Sequence, residues 1–520
     1  MPTSTANGAS RLTLWLRVRE FAVPPSMIET ASARRFHGDW AGACAAAGID
    51  VDLDLRSVAR AHGRELAGRV RDDLRHLAPD LLRWHMPRIA PDGLLRPGLT
   101  VALARYAPDP SAGPYSPGGG VGPVPHLVVR TPPAWADAGQ RISLALWDGS
   151  PAGSCGAAAA RHPHPHPSRR FRFDLHRHLW DARRADELRI RSGAGATVPD
   201  PTGLLPPGLS CAVDRWAAEA EILNRAEGRP GGTVVVRFGA RRRLLLEPHP
   251  DEYGYGYGYG DRDEYGYGYG DRDEYGDGYA YRDEYGDGYA YRDEYGYREG
   301  CQGGPPAVRI APETPENSAA TLPVLPDAAT WVLPDLELLR AGLVESDRLH
   351  PLVAAALEPD RRPPPDRPVR PPDPAGQPRV VECRGARHRI GLVDGVLAPL
   401  DHDPAEIRRE ELLAALTGTP LPCLRAVDEA HRRPDCLTGV RERLDHGDIA
   451  GALAVVEGLL GPDALLRGGA LRDELEAAAH RRITYGLYRA GLIGPAPDRL
   501  LPGIRRPRDR RSHPRDVTRR

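Results

Sequence analysis

The chain has 520 residues, 70 basic and 71 acidic, for a formal net charge of -1, so bulk charge points to no nucleic-acid or acidic partner. Glycine (57) and proline (54) are abundant enough to put part of the length near low-complexity composition. Every basic residue is arginine. The missing lysine excludes a Walker A loop, a kinase strand lysine and Schiff-base chemistry, because a guanidinium does not give up its proton.

The same bias, rich in Arg, Ala, Gly and Pro, is that of a GC-rich genome. Met1–Ser10 carries no basic stretch followed by an apolar one, so no signal peptide is expected. No apolar run approaches the roughly 20 residues of a membrane helix. The cysteines Cys44, Cys155, Cys211, Cys301, Cys383, Cys423 and Cys436 are scattered and form no CxxC pair. Together these features predict a cytoplasmic protein with free thiols and no membrane partner.

In chain order, residues 11–250 predict an α+β domain with Pro/Gly-rich insertions at 107–125 and 148–168. A long helix is expected from Leu55 to Leu77 and another from Asp214 to Ala226. Strands are expected at Thr100–Arg105, His126–Arg130, Arg141–Trp147, Arg170–Leu175 and Thr233–Phe238. This block holds seven of the eight tryptophans and all five phenylalanines, and hence the largest potential core.

Residues 251–304 repeat Arg-Asp-Glu-Tyr-Gly from Arg262, Arg272, Arg282 and Arg292, a period of ten. Between 251 and 300 lie 15 of the 19 tyrosines and no Leu, Ile, Val or Phe, which predicts a disordered tract with nothing aliphatic to bury. Tyr faces and Arg guanidinium groups there could associate, but a passive linker is the simpler reading. Residues 305–378 read as a Pro-rich linker carrying a helical island at 335–357, with Gly342 closing one helix.

Residues 379–496 predict a mainly α-helical domain with an N-terminal β-hairpin. The hairpin runs through Val393-Asp394-Gly395, and Asp403-Pro404-Ala405-Glu406 starts a helix as cap, first-turn proline and capping-box acid. Amphipathic runs follow at 404–416, 422–431, 437–446, 449–460 and 470–490. Residues 497–520 form an Arg-rich disordered tail. One echo links the two ends: His37-Gly38-Asp39-Trp40-Ala41-Gly42-Ala43-Cys44-Ala45 and His446-Gly447-Asp448-Ile449-Ala450-Gly451-Ala452-Leu453-Ala454 match at seven of nine positions. If it is more than chance, it marks helical hairpins used for protein contacts.

Candidate chemistry is sparse. His162, His164 and His166 alternate with proline, so their rings point in different directions and do not readily share an ion; low complexity is the plainer reading. Asp50, Asp52 and Asp54 could share a strand face and hold a hard cation, but they read more simply as its wet side. Gly208-Leu209-Ser210-Cys211-Ala212 is a degraded hydrolase elbow in which Ser210 reads as a helix cap. Cys383 with His388, and Cys423 with His431 and Cys436, lack zinc-finger spacing and read as buried apolar cysteines.

The expected protein is therefore a non-enzymatic interaction or adaptor protein with two folded domains on a flexible tether, an unidentified protein partner, no cofactor and no metal. One alternative is a metal-dependent enzyme drawing on His37, Asp39, His62, His76 and His85. A second is weak nucleic-acid or anionic-polymer binding through the Arg tail, where the lack of interleaved aromatics speaks against specific recognition.

Overall fold

Glycine and proline punctuate the elements where the apolar periodicity breaks. The computed structural model describes residues 4–107, 123–137, 140–149, 162–193, 203–205, 209–238, 242–248, 308–312, 321–359, 379–383, 385–393, 396–418, 421–432, 437–460 and 468–493. The Tyr/Gly decads, the polyproline stretch after 359, the Arg-rich tail and most of the two early insertions lie outside the described residues.

The fold mixes α and β. The helices α1 (Ser4–Phe21), α2 (Pro25–Phe36) and α3 (Trp40–Ala46) lead into β1 (Ile49–Val51). The long helix expected after Leu55 is two helices, α4 (Leu55–His62) and α5 (Arg64–His76), because Gly63 takes a φ of 92° between them. After α6 (Pro79–His85) and a short hairpin, β2 (Arg88–Ile89) and β3 (Leu94–Leu95), come β4 (Thr100–Arg105), β5 (His126–Arg130) and β6 (Ile142–Trp147). They build a sheet ordered β1-β6-β5-β4, in which β1 runs parallel to β6 and the other pairs are antiparallel.

The strand expected at Arg170–Leu175 does not form. A single bridge joins Arg172 to Ala102, and the segment turns through short 3-10 helices into α7 (Leu188–Arg191). Phe171, Phe173, Leu179, Trp180 and Leu188 there join one core with Trp15, Leu74, Trp84, Leu103 and Leu127.

A second, smaller core lies under α8 (Val213–Ala226), where Trp216, Ala220 and Leu223 meet Val234, Val236, Leu244 and Leu246. Its sheet is a meander of β7 (Val234–Arg237), β8 (Arg243–Pro248) and β9 (Val308–Pro312). Strands β8 and β9 pair in register from Leu244↔Pro312 to Pro248↔Val308. The chain thus leaves this sheet before the decads and rejoins the same sheet after them, so both ends of the Tyr/Gly tract are anchored side by side.

The helical island behaves alike. After α9 (Asp327–Thr330), α10 (Pro334–Arg340) and α11 (Pro351–Leu357) send Leu338, Leu349, Val353 and Ala356 into the first core rather than standing apart within a linker. Gly342 closes α10 at φ 64°, and the Leu343 N–H donates back to Leu338 O at 3.0 Å.

The C-terminal elements follow the sequence closely. Strands β10 (Arg379–Cys383), β11 (Ala386–Val393) and β12 (Val396–Pro399) form an antiparallel meander. Helices α12 (Pro404–Thr417), α13 (Pro422–Arg432), α14 (Leu437–His446), α15 (Ile449–Leu460) and α16 (Ala470–Arg489) come next. Asp403 caps α12 by accepting from Ala405 N at 2.9 Å.

The internal echo is a repeated helix–turn–helix joint. In α2–α3, Asp39 accepts from Gly42 N at 2.8 Å and from Arg34 Nη1 at 2.9 Å; in α14–α15, Asp448 accepts from Gly451 N at 2.9 Å and from Arg443 Nη1 at 3.0 Å. Gly38 and Gly447 turn the chain at φ 76° and 89°. A Cβ on Gly42 or Gly451 would lie 2.0 or 2.1 Å from the capping carboxylate, so the joint requires glycine three residues after the aspartate.

The C-terminal helices pack on the N-terminal body. Arg83, buried at 1% exposure, donates to Ala22 O at 3.0 Å, Gln140 O at 2.6 Å and His446 O at 2.9 Å. Trp135 meets Tyr488 edge-on at 5.3 Å between ring centroids. No helix among the described residues is long and apolar enough to cross a membrane.

Candidate ligand-binding cavity

Helices α1 and α6, the 171–192 segment and the 327–334 turn line an open cavity of about 130 Å³. Its walls are aromatic and aliphatic: Trp15, Trp84, Met86, Phe171, Phe173 and Trp331. Helix α1 supplies Trp15 with Arg11 and Arg19 one turn to either side on the same buried face, so apolar and cationic groups arrive together.

Four arginines line the space: Arg11, Arg19, Arg88 and Arg191. Three are answered by acids. Arg19 Nη2 donates to Asp335 Oδ2 at 2.7 Å, Arg11 Nη1 to Glu337 Oε1 at 3.1 Å, and Arg191 to both oxygens of Glu219 at 2.9 and 2.7 Å. The fourth, Arg88, is 2% exposed and has no carboxylate partner among the described residues; it donates to the carbonyls of Arg83 at 2.8 Å and Gly93 at 3.4 Å. Burial, then the nearby charges of Arg83 and Arg19, push Arg88 well below the ordinary arginine range. A guanidinium keeps its proton even so, so the Arg88 charge is met only by backbone carbonyls among the described residues, while the acid Asp327 in the same wall pairs with Arg170.

The lining also holds donors with nothing to donate to. Trp15 Nε1, Trp331 Nε1, Arg11 Nε, Arg19 Nε, Arg88 Nε and Ser192 Oγ are buried without a hydrogen-bond partner. His85 Nε2 is unpartnered too, and burial holds this ring well below the usual histidine range, hence neutral at pH 7. Burial likewise lowers His178 to about 3. Native interiors rarely leave so many polar atoms unsatisfied in one place, and the excess is of donors. The arrangement suits an acceptor-rich, negatively charged guest with an apolar body.

The residues singled out from sequence are engaged elsewhere. Asp50 and Asp52 are not on a wet strand face: Asp50 takes Arg141 Nε at 3.1 Å and the Tyr485 hydroxyl, while Asp52 pairs with Arg489. They dock α16 onto β1, which the alternation alone could not show because the partners lie more than 430 residues away. Asp54 caps α4, accepting from Ser57 N at 2.9 Å. His162 is buried with Nε2 2.9 Å from Thr131 O and Nδ1 accepting from His164 N at 3.2 Å, whereas His166 meets the edge of Trp147. The structure does not bring these three rings onto one point.

The set proposed for a metal enzyme is dispersed as well. His37 Nδ1 is 2.8 Å from Ala33 O, Asp39 caps α3, His62 Nε2 is 3.6 Å from Asp148, His76 Nδ1 is 2.8 Å from Asp72 O, and His85 alone reaches the cavity. Ser210 offers its carbonyl to Val332 N at 3.1 Å and does not cap a helix; Ala212 stands at that position of α8.

Cys383 and Cys423 are buried, as expected, yet they are not isolated: among the described residues, Cys383, His402 and Cys423 form the one group of His, Cys, Asp or Glu able to meet at a metal ion. His402 was not singled out because its spacing to either cysteine matches no finger pattern. No family model, curated protein or solved structure matches this chain, so these residues carry the functional argument.

Proposed function

We propose that the protein is a non-enzymatic binding protein whose N-terminal body takes up a small organic anion, a carboxylate or phosphate attached to an aromatic or apolar group. The observation that carries this reading is Arg88, a buried guanidinium with no acid among the described residues, in an aromatic cavity flanked by unpartnered donors. Transfer of an anion there would satisfy several donors at once, and charge-assisted hydrogen bonds contribute about 1.5–3 kcal/mol each.

The test is calorimetric titration of the full chain with phenylacetate, phenyl phosphate and neutral benzyl alcohol. The anions are expected to bind and benzyl alcohol is not. Arg88→Met should weaken anion binding about 10- to 100-fold, with circular dichroism checking that the variant is folded before its affinity is read. Equal binding of the alcohol, or an unchanged affinity in Arg88→Met, would reject the reading.

In this proposal the chain is multi-domain, a body from α1 to α11 and a C-terminal part from β10 to α16, acting in the cytoplasm as an adaptor toward a protein partner. Support for the adaptor half comes from α12, which buries no residue and exposes Leu412, Leu413 and Leu416 at 68, 51 and 85%. Hydrogen exchange of α12 should slow in complexes recovered from cells; identical exchange in free and complexed protein would count against this half.

A further inference from the structure

Among the described residues from β10 to α13, Ile390 is the one buried aliphatic side chain. Helix α13 packs across the meander, touching all three of its strands. Yet no apolar cluster among the described residues contains a side chain from 379–432. What lies at the centre is Cys383 from the end of β10 and Cys423 from the first turn of α13, both fully buried, with His402 from the turn before α12.

The ligand atoms of these three residues all lie within 4.8 Å of one another. Donors around a tetrahedral zinc ion stand roughly 3.3–3.8 Å apart, given Zn–S of about 2.3 Å and Zn–N of about 2.0 Å, so small side-chain adjustments bring all three onto one ion. The His402 side chain is 4% exposed, and its Nε2 is buried without a partner. Its Nδ1 is 3.6 Å from Glu406 Oε2, a carboxylate placed to orient the ring from behind as acids do for metal-bound histidines. The His388 ring stacks flat on His402 at 4.2 Å and 11°, limiting its rotation.

We propose that Cys383, His402 and Cys423 bind one zinc ion, with water as the fourth donor, and that this ion fastens α13 to the β10–β12 sheet. Two thiolates and an imidazole are the donor set zinc favours over the hard cations. On binding, each thiol gives its proton to solvent and its sulfur becomes a thiolate ligand, with no change of oxidation state.

The test is elemental analysis of the tag-free full chain, purified without added metal or chelator, followed by removal of metal and titration with cobalt(II). One zinc per chain is expected, together with a thiolate-to-cobalt charge-transfer absorption and tetrahedral d–d bands. Cys423→Ser and His402→Ala should each lose the stoichiometric zinc and that spectrum, while His164→Ala keeps both. Should a variant unfold, the wild-type measurement stands by itself: chelation should expose two additional titratable thiols and speed hydrogen exchange in 379–432, and zinc should reverse both. A chain free of zinc that yields no tetrahedral cobalt spectrum, metal content unchanged in Cys423→Ser, or a Cys383–Cys423 disulfide in the isolated protein would overturn the proposal.

Discussion

The N-terminal body and the β10–β12 unit both hold a sheet against helices, by different means. In the body, Trp15, Trp84, Trp180 and many aliphatic residues form a large core, with a smaller one under α8, and both arginines and acids are buried there. In the β10–β12 unit the buried centre is two thiols beside an imidazole. The lesson is that burial has different uses within one chain. A large apolar core can tolerate buried polar groups with incomplete pairing, and these mark the cavity. A small unit has less room for that, and in the zinc proposal its buried polar groups do the holding.

The sharpest way to break this comparison is Arg83→Met. Its guanidinium donates to carbonyls at the ends of α1 and α3, at Gln140 and at His446, so removal leaves several buried acceptors unpaired at once. A loss of about 3–5 kcal/mol is expected by denaturant unfolding, the cost of breaking a buried charged network. A loss below about 1 kcal/mol would mean that the core alone carries the body.

A smaller effect should come from acid. Burial lowers His162 and His446 to about 4 and His178 to about 3, while the contacts of Glu187 with His178 and Arg184 bring it down to about 2. A buried neutral histidine contributes stability that is complete above the unfolded value of about 6.5 and is lost as pH falls toward the folded one. Glu187 adds loss of the same sign below about 4.5. Stability should thus fall between pH 7 and 4, by on the order of 1–3 kcal/mol per histidine. Tryptophan fluorescence during urea unfolding at several pH values checks this, and a flat profile would contradict the buried neutral assignments.

Smallest should be Tyr485→Phe, which removes the hydroxyl donated to Asp50 but leaves the ring in place. A cost of about 1 kcal/mol is expected, with faster hydrogen exchange confined to α16 and β1. Exchange that spreads through 379–432 instead would show that the β10–β12 unit leans on the body rather than on its own centre.

Local signals decided most elements. The strands at Thr100–Arg105 and His126–Arg130, the capped start at Asp403 and the glycine stops at Gly342 and Gly491 follow from side-chain alternation, capping and left-handed backbone, all of which act within a few residues. The Asp-x-x-Gly echo was legible for the same reason: carboxylate and glycine lie in one turn. The sites were not. Arg88 is unremarkable in the sequence, and only the fold brings Asp335, Glu337 and Glu219 to its neighbouring arginines and leaves it without an acid. Strands β8 and β9 pair across nearly sixty intervening residues, and Cys383, His402 and Cys423 meet from a strand, a turn and a helix. Periodicity fixes which face of a segment turns inward, whereas the identity of what it meets there is set by packing between distant segments.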